Sequence, residues 1–115
     1  MTNYSESLDS LFQALADPTR RTVIERLSLG PASVSELAEP FDMALPSFLQ
    51  HLKVLEQCGL VTSQKVGRVR TYQLVPEALN LMRHWLQNQQ TVWTRRLDQL
   101  DSYLLELAKQ EKQNE

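Results

Sequence analysis

Ser47 and His51 stand four residues apart in a segment of helical periodicity, where a hydroxyl nucleophile can meet an imidazole base. A working pair needs a third group to orient the ring and donors to hold an oxyanion, and the sequence announces neither. The glycines, Gly30, Gly59 and Gly67, lie too far apart to build a phosphate-cradling loop. His84 has no second histidine at a chelating spacing, and a specific metal site takes about three or four ligands. Cys58 is the only cysteine, so no internal disulfide is available, and the thiol reads as inert packing in a reducing cytosol. No catalytic residue, metal ligand or cofactor is expected.

What the residue types do offer is positive charge in one place. The net charge of −2 has the wrong sign for a phosphate binder. Its distribution matters more. Residues 1–43 carry three Lys/Arg against seven Asp/Glu, a balance of −4. Residues 76–115 carry five against six, a balance of −1. Between them, Lys53, Lys65, Arg68 and Arg70 face Glu56 alone, a balance of +3. Cations and anions are usually interspersed on a surface, so Lys65, Arg68 and Arg70, with no acid near them in the sequence, suggest contact with a phosphate backbone. So small an island needs two copies for useful affinity.

The elements that must carry these side chains follow from punctuation and period. Leu8, Leu11, Phe12 and Leu15 predict a first helix over Ser5–Ala16. Asp17-Pro18 reads as an N-cap and first-turn proline for a second helix through Val23, Ile24 and Leu27, stopped by Gly30-Pro31. Arg20 and Arg21 oppose the dipole at that helix start and require a partner, either Asp17 or a phosphate. Ser33 and Glu36 form a capping box for a short helix through Leu37, Ala38 and Phe41. Pro46 opens a fourth helix that Gly59 closes, with Phe48, Leu52 and Leu55 on its buried stripe. Its other face carries Gln50, Lys53 and Gln57, flanked by Ser47 and Val54. Short helix, turn, and second helix with a polar outer face is a helix-turn-helix layout.

Val61 to Val75 switch to strand-forming residues around Gly67-Arg68, which predicts a hairpin with a basic tip. Beyond Pro76 the chain reads as one helix or two. Leu79, Met82, Leu86, Trp93, Leu97, Leu100, Leu104 and Leu107 keep close to a three–four spacing, with Gln89 or Gln90 where one member is due. That stripe is too apolar to stand in water and must meet the first helix or a partner chain. No apolar run is long enough to span a membrane, and the polar start, Met1 to Glu6, does not read as a signal peptide.

The strings ALADPTRRTVIERL (14–27), SELAEPFDM (35–43), SFLQHLKVLEQCGLV (47–61) and GRVRTYQL (67–74), in this order, resemble the ArsR-type winged helix-turn-helix repressors. The resemblance runs over residues 8 to about 107. It implies a mainly α fold with a small β-hairpin, a winged helix-turn-helix with N- and C-terminal dimerisation helices. On this reading residues 1–115 are a single winged-helix domain, with the helix-turn-helix at about 33–58, the wing at about 60–75 and the dimerisation helix at about 76–110. The family is bacterial and cytoplasmic, and it represses transcription as homodimers on double-stranded operator DNA. Ser47, Gln50 and His51 match base-reading positions, Lys53 and the wing cations Lys65, Arg68 and Arg70 match phosphate-facing ones. Leu8, Leu11, Phe12, Leu79, Met82, Leu86, Trp93, Leu97, Leu100 and Leu104 fall on the dimer helices.

Departures from the family pattern are informative. The thiolate positions of its third helix match Ser33 and Ser35, which supply no soft ligand, so a branch without the metal sites is implied. Leu45 and Leu49 replace polar residues of the recognition helix; they either touch thymine methyl groups or pack inward. Trp85 and Trp93 belong to the seam's core or line a pocket for a small organic effector. The rival reading is a protein-interaction module with a degenerate winged helix.

Overall fold

The structure, a computed structural model, describes residues 4–114. Eight elements follow one another: α1 (Tyr4–Ala14), α2 (Pro18–Leu27), β1 (Ala32–Ser33), α3 (Val34–Ala38), α4 (Leu45–Gln57), β2 (Val61–Val66), β3 (Val69–Leu74) and α5 (Pro76–Gln113). Local chemistry sets most of their ends. Asp17 caps α2 by accepting from the Arg20 N–H at 3.0 Å, with Pro18 in the first turn. Both arms of the Ser33–Glu36 capping box are made, at 3.2 and 3.1 Å, which removes two orphan donors at the start of α3. A cap of this kind is worth about 1 kcal/mol.

The end of α4 is the most informative. Gly59 sits at φ +89°, where an L side chain is strained. Its N–H donates to the Glu56 carbonyl at 3.2 Å, and the Leu60 N–H donates to the Leu55 carbonyl at 3.1 Å. This is the double bond pattern of a Schellman close. It turns the chain sharply enough that Leu60 is buried and Val61 begins β2.

The predicted hairpin gains a third strand. β1 lies against β3, with Ala32 opposite Tyr72 and Ser33 opposite Thr71, so the sheet order is β1-β3-β2. Two residues are too few to show a period, which is why the pattern of the sequence did not reveal this strand. β2 and β3 pair antiparallel from Val61–Leu74 to Val66–Val69.

Phe48, Leu52 and Leu55 of α4 join Val23, Ile24 and Leu27 of α2, Leu37, Leu60, Val61 and Tyr72 in one core. Two helix ends differ from the sequence reading. α1 stops at Ala14 rather than Ala16: the Leu15 N–H still donates to the Leu11 carbonyl, but the Ala16 N–H tightens onto Gln13, and Arg20 of α2 satisfies the Ala14 and Gln13 carbonyls. α3 stops at Ala38, short of Phe41: Glu39 still has helical dihedrals and donates to the Ser35 carbonyl as the C-cap, but Pro40 has no N–H to carry the ladder on. Phe41 instead sets its ring 5.4 Å from that of Phe48.

The tail is a single helix of 38 residues, roughly 57 Å long. Inter-residue contacts divide the chain within it, between Met82 and Arg83. On the first side, Leu8, Leu11 and Met82 are buried within the chain itself, while Phe12 and Leu79 are packed partly against the core. A chain this short needs the faces of α1 and of the first turns of α5 to complete its interior. On the second side Leu86, Trp93, Leu97, Leu100 and Leu104 are all exposed. No helix among the described residues is long and apolar enough to cross a membrane.

Candidate nucleic-acid interface

Because α4 buries Phe48, Leu52 and Leu55, the helix must present what lies between them. Ser47, Gln50 and Lys53 are exposed, as are Glu56 and Gln57. Leu45 and Leu49, left open by the sequence, are exposed too, at 53% and 41%. They do not serve the core. Ala44 occupies the N-cap position and makes no side-chain cap bond.

Beside α4, the paired strands set Lys65 opposite Arg70 and Val66 opposite Val69, with Gly67 at φ +64° making the turn before Arg68. Lys65, Arg68 and Arg70 are all exposed. Arg70 is nevertheless held. Its Nη1 donates to Ser63 Oγ at 2.8 Å, and that hydroxyl donates to Glu56 Oε1 at 2.6 Å. The sequence-based picture of three unopposed cations is thus corrected for one of them. Glu56 lies seven residues before Ser63 in sequence but reaches it through the α4–β2 turn. Between α4 and the sheet opens a groove of about 520 Å³ bordered by Leu49, Lys53, Glu56, Lys65, Arg70 and Tyr72. Recognition-helix and wing cations therefore border one concave surface.

His51 corrects a second expectation, that nothing orients its ring. Arg20 Nη1 lies 3.2 Å from its Nδ1, and Asp17 Oδ2 lies 3.7 Å from the same nitrogen. The Arg20 backbone N–H, and secondarily the positive charge of the Arg20 guanidinium, hold the Asp17 carboxyl below its ordinary pKa despite partial desolvation. Neither Arg20 nor Arg21 needs the phosphate or the Asp17 side-chain pairing considered for it. Arg20 Nε donates to the Ala14 carbonyl at 2.6 Å and Nη2 to that of Gln13 at 3.3 Å, and Arg21 Nη1 donates to that of Leu15 at 2.8 Å. A cation at a helix C-terminus satisfies orphan carbonyls and the dipole together. Only the fold shows this, since the α1 end and the α2 start must first be brought face to face.

Cys58 is half-buried, its thiol donates to the Leu55 carbonyl at 3.3 Å, and burial pushes its pKa up. Such a thiol is a weak nucleophile. Among the described residues no three His, Cys, Asp or Glu side chains gather as a metal site.

A helix-turn-helix flanked by a β wing, with polar and cationic residues on the outer faces of both, defines a winged helix-turn-helix protein. Residues 15–64 match the helix-turn-helix domain family. A helix-turn-helix-type transcriptional regulator of Mycobacterium tuberculosis is 44% identical over 97 residues, covering 84% of this chain and 87% of that protein. The transcriptional repressor SdpR of Bacillus subtilis is 30% identical over 81 residues, covering 70% and 90%. The crystal structure of an ArsR family transcriptional regulator superposes with a TM-score of 0.76 at 54% identity, covering 82% of this chain and 97% of that one. The chain belongs to the ArsR family of helix-turn-helix transcriptional regulators.

Proposed function

We propose that the chain is a homodimeric repressor, a single winged-helix domain over residues 1–115 that occupies operator DNA in the cytoplasm. Ser47, Gln50 and His51 read base edges in the major groove, with Leu45 and Leu49 against thymine methyl groups. Lys53, Lys65, Arg68 and Arg70 meet phosphates. Leu86, Trp93, Leu97, Leu100 and Leu104 form the seam with a second copy. Two copies place two recognition helices in successive major grooves, roughly 34 Å apart. The observation that carries the reading is the shared border: cations of α4 and of the wing line one open groove, and the apolar face of α4 is buried behind it.

The test is a titration of a labelled duplex from the protein's own promoter region at several salt concentrations, beside a scrambled duplex. The promoter duplex is expected to bind at least about a thousand-fold more tightly, with log K falling linearly against log salt. Equal affinity for both sequences would overturn the reading.

A further inference from the structure

Three elements converge on His51. Asp17 caps α2, Arg20 stands in the first turn of α2, and His51 rises from α4 to meet them. The guanidinium is a donor at every nitrogen and cannot accept a hydrogen bond. At 3.2 Å from Arg20 Nη1, His51 Nδ1 must therefore accept, and an accepting Nδ1 carries no proton. Asp17 Oδ2 pulls the other way, since a carboxylate favours a proton on the nitrogen facing it. At 3.7 Å, however, it is beyond hydrogen-bond reach, and it already accepts the Arg20 N–H at 3.0 Å.

We propose that Arg20 is a positioning residue for the recognition helix, fixing His51 as the neutral tautomer with its proton on Nε2. The inference rests on the DNA-reading surface proposed above and says what His51 reads there. Nδ1 and Nε2 lie on opposite flanks of the imidazole, so an Nδ1 turned to Arg20 aims the Nε2–H away from it. Among the described residues no partner for Nε2 is recorded. His51 is thereby a donor, matched to an acceptor on DNA: guanine N7 or O6, adenine N7, thymine O4, or a phosphate oxygen. An imidazole with its proton on Nδ1 would present a lone pair instead and reject all of these. Arg20 is itself immobilised, because Nε and Nη2 are bound to the Ala14 and Gln13 carbonyls at the end of α1. The ring is thus set by a guanidinium anchored on a second helix.

Nitrogen spectra of the free, full-length chain labelled at histidine test the first half. The chain has two histidines, and a His84→Gln variant assigns them. At a pH where both rings are neutral, His51 is expected to show an unprotonated Nδ1 and a protonated Nε2. In Arg20→Met only Asp17 remains beside Nδ1, so the proton is expected to move to Nδ1. Arg21→Met is the control for folding, because Arg21 also binds a carbonyl at the α1 end but does not touch His51; it should leave the tautomer unchanged. On the promoter duplex Arg20→Met is expected to lose roughly ten-fold in affinity with an unaltered salt slope, and Arg20→Lys to recover most of it.

A protonated Nδ1 in the natural chain, or an unmoved tautomer in Arg20→Met, overturns the proposal. So does a flattened salt slope in Arg20→Met, which would make Arg20 a phosphate contact. A tautomer that moves with no change in affinity overturns the donor role of His51. If the natural chain binds no DNA at all, the operator reading falls, while the free-chain spectra still decide what Arg20 does to His51.

Discussion

Changing Arg68 and Arg70 together to alanine is expected to lower operator affinity about a hundred-fold at physiological salt. It is also expected to flatten the dependence of log K on log salt by about two to four units per dimer. The magnitude comes from counting. A dimer carries two wings, so the double variant removes four cations, and each phosphate contact contributes a slope of about 0.9. The two arginines should not contribute equally. Arg68 stands in the turn, whereas Arg70 is tethered through the Ser63 hydroxyl to the Glu56 carboxylate, which offsets part of its charge. Arg68→Ala alone should therefore cost more than Arg70→Ala alone. Fluorescence anisotropy at four or more salt concentrations measures both quantities. An unchanged slope in the double variant would remove the wing from the interface.

Trp93→Glu with Leu100→Glu is expected to have a larger effect. The two side chains are exposed along the distal part of α5, at 61% and 52%, so carboxylates there disturb nothing in the core around α2 and α4. Placed on a seam between two copies, they would bury charge without partners, at several kcal/mol each. Sedimentation equilibrium should then report the mass of one chain. Operator affinity should fall between about a hundred- and ten-thousand-fold, because the second half-site is no longer bound at the effective concentration that a tethered partner supplies. A variant that keeps the mass of two chains would move the seam elsewhere on the molecule.

How much of this was legible in the sequence depends on how local the governing interaction is. The starts of α2 and α3 and the close of α4 rest on Asp17, on Ser33 with Glu36, and on Gly59, each acting within about four residues. They were readable. β1 was not, because Ala32 and Ser33 become a strand only when Tyr72 and Thr71 arrive beside them. Period alone showed that Leu8, Leu11 and Met82 lie on apolar faces, but not that those faces close on the chain itself. Leu45 and Leu49 precede the buried Phe48 and Leu52 by three residues each, so helical spacing leaves them on the margin of the stripe. Only the packing decides that they stay in water. The hold of Arg20 on His51 spans 31 residues, and no local pattern announces it. The candidate interface was thus visible as a set of side chains, while the groups that orient and neutralise them were not.

The exposed stripe on the 31 helical residues beyond Met82 also bears on how the protein behaves when scarce. In proteins, a helix draws most of its stability from covering its apolar face, more than from the preferences of its residues. In the dimer proposed above that cover is the other copy, so order in this segment is subject to mass action. Dilution then acts as a mild denaturant, and the melting temperature should climb with chain concentration. Inside a cell the same coupling makes occupancy of an operator respond more steeply than in proportion to the number of chains. Where dimer and separate chains are in balance, halving the supply would remove more than half of the functional pairs.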